Sequence, residues 1–183
     1  MRLLHCFCVS FIVMAMLTGC GKMHRVMHGQ AMEPALKNGD SFVCDIDAYN
    51  KNSDIKRWDI IAYIYNFGPT QRNCFAVKRV IGLPGDKLDF EKNAILLNGS
   101  PIKLPEGIVF NYKDLIDPTL HKYLSDNYCS VIVPADCVFA MGDNATHSLD
   151  SRIYGPINFK DILGKVTLAS PETKTPPKTG KVK

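Results

Sequence analysis

The chain has 183 residues, of which 46% are apolar, so it is long enough for one domain with a buried core. Its net charge is only +4, and its basic residues are scattered, which argues against a nucleic-acid binder. The five histidines, His5, His24, His28, His121 and His147, lack the spacing of a metal site. We therefore predict no metal, no other cofactor and no nucleic-acid partner.

The N-terminal segment has the features of an export signal. Arg2 precedes an uncharged, mostly apolar run over residues 3–17. A helix of that length spans about 22 Å, whereas a membrane-spanning helix needs roughly 20 residues. The run therefore suits the apolar core of a signal peptide, which we predict over residues 1–19.

The apolar run ends in the tetrapeptide LTGC, whose last residue is Cys20. This tetrapeptide resembles the lipobox of bacterial lipoproteins, in which the cysteine is lipidated and becomes the new N-terminus. The resemblance implies a lipid on Cys20 that holds the domain at a membrane surface, since each buried CH₂ contributes about 0.8 kcal/mol. The alternative is a short membrane anchor in which Cys20 has no role.

Composition divides the rest of the chain into four parts. A short polar linker over residues 20–28 leads into a domain over residues 29–169. Within that domain, residues 104–127 are polar, aromatic and irregular, and we interpret them as an insertion. The tail, residues 170–183, has three prolines and almost no apolar residues, so we predict that it is disordered.

Segments rich in β-prone residues recur at short spacing between Gly and Pro turns, which predicts a mostly β domain. The predicted strands cover residues 41–47, 59–65, 74–81, 130–133, 137–141 and 163–168, with shorter ones in KLDF and AILLNGSPI. Asn98 and Gly99 form a strong hairpin signal in the last of these segments, because both residues tolerate positive φ.

Four cysteines remain after the leader and the LTGC motif: Cys44, Cys74, Cys129 and Cys137. An even number in an exported chain permits disulfides, but the sequence does not choose among the pairings. Free buried thiols are the alternative, because Cys44 and Cys74 each lie in an apolar, strand-like run.

Lys78 is the most informative ionisable residue, because it lies in an apolar β-run between Val77 and Val80. A lysine on a strand ordinarily points to solvent. If it points inward, desolvation lowers the pKa of its amine, which can then act as a general base near neutral pH. Such an amine can activate a serine hydroxyl.

Four short segments carry a specific resemblance. VKRVIGLPGD, which contains Lys78, and MGDN followed by SLDSR and a glycine resemble two boxes of the bacterial type I signal peptidases, which are serine–lysine proteases. RWDIIAY resembles a third box, although Trp58 stands where the family usually has glycine. GQAMEPAL resembles the box G-x-S-M-x-P-T-L. The boxes follow the family's order over about residues 29–168 and imply its mostly antiparallel β fold.

The resemblance also implies roles for individual residues. These are Lys78 as general base, Arg79 as its neighbour in the box, Ser148 as the hydroxyl that hydrogen-bonds and orients Lys78, Asp150 and Arg152 as a buttressing ion pair, Asp143 as a further structural carboxylate, Gly29 near the oxyanion hole, and Met32 and Pro34 as residues that shape the strand around the nucleophile.

The chain departs from the family at Ala31, which occupies the position of the nucleophilic serine. Alanine has no hydroxyl, so no acyl-enzyme can form there. Ala35, where threonine is usual, is a second loss in the same box. Because loss of the nucleophilic serine costs about 10⁶ in kcat in a serine protease, we expect impaired or absent peptidase activity.

The resemblance implies a protein of the cell envelope that acts on signal peptides of exported precursors, with its domain on the outer face of a membrane. The peptide would bind as an extended strand with small side chains in two shallow pockets. One alternative is a non-catalytic peptide-binding or assembly factor for pili, conjugation or secretion machinery. Another is an active serine-type endopeptidase that uses a different nucleophile, for which Ser41 is the candidate.

Overall fold

The computed structural model describes residues 21–65, 74–91, 94–108 and 129–168. Its strands are β1 (Lys22–Val26), β2 (Ser41–Asp45), β3 (Ile60–Tyr65), β4 (Cys74–Gly82), β5 (Lys87–Glu91), β6 (Ala94–Leu97), β7 (Ser100–Pro101), β8 (Ser130–Ile132), β9 (Cys137–Met141), β10 (Ile157–Asn158) and β11 (Ile162–Leu168). Within the described ranges there are also one short α-helix, α1 (Ser151–Tyr154), and 3₁₀ turns at Asn52–Asp54, Ala145–His147 and Phe159–Asp161.

The strands form two sheets, one of seven strands in the order β1-β2-β11-β3-β4-β9-β10 and one of four in the order β7-β6-β5-β8. Every described pairing is antiparallel. The prediction of a mostly β, antiparallel fold is therefore confirmed. The β6–β7 hairpin turns at Asn98 and Gly99, whose φ values of 51° and 83° are the positive values that its sequence predicts.

The predicted linker is wrong over most of its length, because residues 22–26 form β1 and pair with β2 from Lys22↔Asp45 to Val26↔Ser41. A further backbone hydrogen bond, from the Met27 N–H to the Asp40 carbonyl at 2.8 Å, extends this pairing. The segment forms a strand because it alternates, with the side chains of Met23 and Met27 packed against the core.

The seven-stranded sheet curls around an apolar core between β1, β2, β11, β3 and the first half of β4. This core comprises Met27, Met32, Leu36, Phe42, Cys44, Ala62, Val77 and Val166. The curl brings β1 close to β4, although three strands lie between them in the sheet. The Arg25 guanidinium lies 5.4 Å from the centre of the Phe75 ring, and the Phe75 ring lies 6.3 Å from that of Phe42. The edge of β1 and the edge of the first half of β4 therefore lie close together, and we refer to the space between these two edges as the cleft.

The opposite face of β3 and β4 packs on a second cluster that includes Ile61, Tyr63, Val80 and Ala140. A third cluster fills the space between the small sheet and β9 and contains the tilted ring pair Phe90–Phe139, with centroids 5.5 Å apart. These clusters fix β3, β4 and β9, the three strands that support the site described below.

The four cysteines of the body, Cys44, Cys74, Cys129 and Cys137, are free thiols, so none of the open disulfide pairings is formed. The predicted signal peptide, Cys20, most of the predicted insertion (109–127) and the predicted disordered tail lie outside the described residues. Within the described ranges, every helix is too short or too polar to cross a bilayer.

Candidate functional site

Ala31 lies in a loop between β1 and β2. The residues around it form turns rather than the strand that the sequence predicts, because the chain must reverse to pair β1 with β2. Met32 is fully buried and anchors the loop, and its carbonyl accepts a hydrogen bond from the Leu36 N–H at 2.9 Å. Pro34 is exposed. The loop is therefore held through its apolar side chains, and Ala31 remains half-buried at its start.

Gly29 opens this loop with a φ of 85°, which only glycine adopts without strain. Its N–H donates to Asn38 Oδ1 at 2.9 Å. The family resemblance implies a place near the oxyanion hole for Gly29, and its own N–H is engaged within the loop.

Lys78 lies on β4 opposite Ile61 and is buried, with 6% of its surface exposed. Its Nζ donates to the Val77 carbonyl at 3.0 Å, the only acceptor for this amine among the described residues. Burial lowers the pKa of Lys78, and the negative charge of Asp150 only partly offsets this effect. The side chain is thus a desolvated amine, as the inward orientation predicts.

Strand register relates Lys78 to Ala31. The β4–β9 ladder pairs Val80 with Ala140 and Arg79 with Met141, so the next position sets Lys78 opposite Gly142. Because alternate residues share a face, Lys78 and the missing side chain of Gly142 point to the same side of the sheet. A Cβ on Gly142 would collide with the Ala31 carbonyl oxygen and the Ser148 hydroxyl. Lys78, Ala31 and Ser148 therefore share one side of the sheet.

Ser148 differs from its predicted role. Its Oγ donates to Asp150 Oδ2 at 2.7 Å, and no described hydrogen bond joins it to Lys78. The Asp150 carboxylate is a strong acceptor for this hydroxyl. Ser148 is buried beside Asp150, whose negative charge acts to raise the pKa of Lys78.

Asp150 and Arg152 form a fully buried ion pair, with Arg152 Nε 2.8 Å from Asp150 Oδ1. The Gly142 N–H also donates to this carboxylate, at 2.9 Å. Burial alone would raise the pKa of Asp150, but Arg152 and these hydrogen bonds hold it below its usual range. Arg152 also donates to the carbonyls of Ala145 and Ser148, which ties the loop after β9 together.

Arg79 and Asp143 form a second ion pair that the sequence does not predict as a pair. Arg79 Nε and Nη2 reach the two carboxylate oxygens at 2.7 and 2.6 Å, a bidentate geometry. Arg79 also donates to the Trp58 carbonyl at 3.0 Å. The pair links three of the four sequence boxes.

Trp58 has a φ of 76°, a conformation that favours glycine, at the position where the related family usually has that residue. The next residue, Asp59, accepts hydrogen bonds from Lys165 Nζ at 2.6 Å and Tyr49 Oη at 2.9 Å, so this carboxylate of the RWDIIAY box joins β11 to the segment after β2.

Ser41 is the proposed alternative nucleophile, and it lies on β2, three strand spacings from β4. Neighbouring strands are about 4.8 Å apart, so roughly 14 Å of sheet separates Ser41 from Lys78. The curl of the sheet does not close this gap, since Ser41 alternates with the inward-facing Phe42 and so lies on the outer face. The fold counts against this alternative.

A cavity of about 440 Å³ is lined by Asp150 together with Tyr63, Tyr65, Tyr154 and Pro156 among others. Neither Ala31 nor Lys78 lines it.

Taken together, the arrangement offers a desolvated amine, supported by two carboxylate–guanidinium pairs, beside a backbone position that carries only a methyl group. A neutral amine in this place can accept a proton from a hydroxyl. Ala31 supplies no hydroxyl at this place.

Comparison with known proteins gives consistent matches. The family model described as signal peptidase, peptidase S26, matches residues 1–170. The signal peptidase I of Bacillus caldolyticus is 34% identical over 144 residues, which cover 77% of this chain and 75% of the relative. The signal peptidase I P of Bacillus subtilis subsp. natto is 35% identical over 141 residues, covering 76% and 71%.

The signal peptidase IB of Staphylococcus aureus is 30% identical over 165 residues, covering 87% of this chain and 83% of the relative. A crystal structure of a signal peptidase I from Enterococcus faecalis V583 is 27% identical and has a TM-score of 0.46, covering 62% of this chain and 97% of that chain.

Proposed function

Because this chain belongs to the signal peptidase family, peptidase S26, we propose that it binds the end of a signal peptide of an exported precursor as an extended strand. We further propose that it does so with little or no serine-peptidase activity, since Ala31 lacks a hydroxyl. The observation that carries this proposal is a pair of open strand edges that lead to Ala31 and Lys78.

The two edges belong to β1 and to the first half of β4. β1 pairs only with β2 among the described strands, and β4 pairs with β9 only from Arg79 onward. Residues 74–78 therefore present an edge without a described strand partner. The contact between Arg25 and Phe75 brings the two edges within reach of one extended peptide. Such a peptide would gain backbone hydrogen bonds from strand addition, and pockets for alternate side chains would give specificity.

The cleft borders a buried apolar cluster that includes Met27, Val77 and Met32, the last being the neighbour of Ala31 in the chain. An apolar border of this kind favours small or aliphatic side chains over charged ones, because a charge would lose its hydration without a partner. This property fits the small residues at the end of a signal peptide.

The chemistry available at the end of the cleft is incomplete. Lys78 supplies a desolvated amine, and in a serine–lysine mechanism this amine removes the proton of the serine hydroxyl. With Ala31 there is no hydroxyl to attack the peptide carbonyl and no ester to form. Binding without turnover is the expected behaviour.

We place the domain at the outer face of a membrane in the cell envelope. The support is the LTGC motif, since a lipid on Cys20 would be attached one residue before the first described residue and two before β1. The cleft would then lie close to the bilayer surface, where a signal peptide leaves the membrane.

The proposal is tested with a fluorescent peptide that carries the end of a signal peptide, and with a full precursor. Wild type should bind the peptide in an anisotropy titration and leave the precursor intact after long incubation. Ala31→Ser should cleave the precursor at a measurable rate. Ala31→Ser combined with Lys78→Met should bind the peptide and lose the cleavage, because the base is then absent.

Two results would contradict the proposal. Precursor cleavage by wild type that survives Lys78→Met would point to another nucleophile and another base. Failure of wild type to bind any signal-peptide end, in protein whose circular dichroism is that of a folded β domain, would favour an assembly factor with a different partner.

A further inference from the structure

The cavity of about 440 Å³ that Asp150 lines lies on the same face of the large sheet as Lys78. Lys78 pairs with Ile61 across β4 and β3, and Tyr63, two residues after Ile61, lines the cavity. Cross-strand partners and alternate residues of a strand share a face. The volume is in the range of sites for small organic ligands, and the binding of a peptide along the cleft makes no use of it.

The Tyr63 hydroxyl is a buried polar group at this cavity. Tyr63 is only 2% exposed, and among the described residues no hydrogen bond reaches its hydroxyl. Burial raises the pKa of Tyr63, and Asp150, Tyr65 and Tyr154 raise it further, so the hydroxyl lies among three residues that all line the cavity. Buried hydroxyls normally have a partner, so this one is available to a ligand.

Aromatic side chains form much of the cavity wall. Tyr65 and Tyr154 are half-buried, and their rings lie 4.3 Å apart between centroids at an angle of 35°. Together with Tyr63, they give the cavity three phenol rings. Such rings attract ammonium and guanidinium groups, because the face of an aromatic ring carries negative charge density.

The buried carboxylate of Asp150 gives the cavity a negative charge. Arg152 forms an ion pair with Asp150 but does not line the cavity. The negative charge of Asp150 acts on the hydroxyls of both Tyr63 and Tyr154. The carboxylate side of the ion pair therefore faces the cavity, whereas the guanidinium reaches the carbonyls of the loop after β9.

A second carboxylate, that of Asp161, lines the same cavity. Asp161 is half-buried, and among the described residues it forms no ion pair. Lys160 supplies the one cation among the lining residues, but it is exposed, so water screens its charge. The charge balance within the cavity is therefore negative.

We propose that this cavity binds an organic cation, a guanidinium or alkylammonium group, carried by a small amine or by a basic side chain of a peptide. Its N–H groups would donate to the Tyr63 hydroxyl oxygen, and its charge would be balanced by Asp161. Its methylene groups would lie against the rings of Tyr65 and Tyr154. This site is separate from the cleft and goes beyond the proposed function.

The test is a titration of the ¹⁵N-labelled full chain, followed by NMR, with butylguanidinium, butylammonium and butylurea. Both cations should shift the amide signals of residues 63–65 and 154–158. Butylurea has nearly the same shape as butylguanidinium but no charge, and it should bind at least about fivefold more weakly. The amide of an acetylated Ala-Arg-Ala peptide identifies the source: a basic side chain if it binds as tightly as butylguanidinium, a small amine if only the free cations bind.

Variants make the assignment specific. Tyr63→Phe removes only the hydroxyl and should weaken butylguanidinium binding about fivefold. Tyr49→Phe is the matched control, because the Tyr49 hydroxyl donates to Asp59 and does not line the cavity, and it should leave the affinity unchanged. Asp161→Asn should weaken binding and Lys160→Gln should strengthen it, since the two changes shift the charge of the cavity in opposite directions.

Three results would overturn this inference. They are equal affinity for butylurea and butylguanidinium, no shift of the cavity signals with either cation, and equal effects of Tyr63→Phe and Tyr49→Phe on binding. Each of them would leave the proposed function standing, because the cleft and the cavity are separate.

Discussion

The backbone N–H of Asn144 donates a hydrogen bond to the carbonyl oxygen of Ala31 at 3.1 Å. This bond joins the loop after β9 to the loop after β1, so two sequence boxes that are more than a hundred residues apart meet through their backbones. Because neither side chain takes part, the position of residue 31 does not depend on whether it carries a methyl group or a hydroxymethyl group. This bond therefore helps to fix the backbone at residue 31.

Gly142 is predicted to tolerate no side chain. A Cβ there would overlap the Ala31 carbonyl oxygen, which the Asn144 hydrogen bond holds in place, and also Ser148. We expect Gly142→Ala to lower the free energy of unfolding by about 1–3 kcal/mol in urea denaturation, a typical result of overpacking.

Gly85 provides the control. A Cβ there would contact no neighbour, so only the φ of 83° makes alanine unfavourable at this position. Gly85→Ala should cost about 1 kcal/mol. Adding Ser148→Ala to Gly142→Ala should recover part of the loss. If Gly142→Ala and Gly85→Ala lowered the free energy of unfolding equally, the neighbours of Gly142 would have moved away from the added Cβ without loss of stability.

Lys78 is predicted to destabilise the fold in a pH-dependent manner. The pKa of its buried amine is lower in the folded chain than the ordinary lysine value of 10.5, so the unfolded chain binds more protons between these two values. The stability of wild type should therefore rise with pH over this interval. Lys78→Met should be more stable than wild type below it, by about 1–3 kcal/mol, and the gain should shrink as the pH approaches 10.5.

Urea denaturation of both proteins at a series of pH values measures this difference. Lys87→Met is the matched control, because the Lys87 side chain is 54% exposed and its charge stays hydrated. A difference between Lys78→Met and wild type that does not change with pH would contradict the buried, deprotonatable amine.

At Trp58, substitution by glycine is predicted to give a more stable protein than substitution by alanine, the reverse of the usual order. Its φ of 76° strains every residue with a Cβ, so Trp58→Ala keeps the strain and loses the packing, whereas Trp58→Gly loses only the packing. We expect the glycine variant to be more stable than the alanine variant by about 1 kcal/mol in thermal or urea unfolding.

Phe75 on β4 is the comparison, since glycine within a strand costs about 0.5–1 kcal/mol relative to alanine. Phe75→Ala should therefore be more stable than Phe75→Gly. If the alanine variant is more stable than the glycine variant at both positions, the backbone at residue 58 relaxes its strain without needing glycine.

Asp143 is predicted to be a large contributor to stability because its carboxylate holds the Arg79 guanidinium. The Asp143 side chain is 1% exposed. Its removal would leave the Arg79 guanidinium mostly buried and without its charge partner. Asp143→Ala should cost about 3–5 kcal/mol. Lys87→Ala, which breaks the exposed pair between Lys87 and Asp89 at 2.8 Å, should cost no more than about 1 kcal/mol.

Combining Arg79→Met with Asp143→Leu should restore part of the stability that Asp143→Ala loses, since both charges are then removed together. Similar small costs for Asp143→Ala and Lys87→Ala would show that water reaches the Arg79–Asp143 pair.

The strands with apolar, β-branched sequences could be predicted, and β9 matches its predicted range, residues 137–141, at both ends. The sequence KMHRV of β1 could not, because four of its five side chains are exposed and only Met23 packs against the core. One apolar side chain is too few to give the alternation by which a strand is recognised. The contact of Arg25 with Phe75 depends on the curl of the sheet, which no local pattern encodes.

The members of the site could be named from short motifs, but their partners could not. Arg79 and Asp143 are 64 residues apart in the chain, and their contact depends on the register of β4 against β9. A single sequence does not encode that register in any local pattern. The bond from Ser148 to Asp150 was missed for a different reason, since the family role assigned to Ser148 pointed to Lys78 instead.

Unpaired N–H and C=O groups along an exposed strand are a template for unwanted association between molecules. In this chain, the edge of β1 carries Lys22 and Arg25 within five residues. Positive charge along this strand edge repels the same edge of a second molecule and attracts a negatively charged peptide. The same residues can thus keep copies of the protein from associating through the edge of β1 and leave that edge open to one strand of another polypeptide.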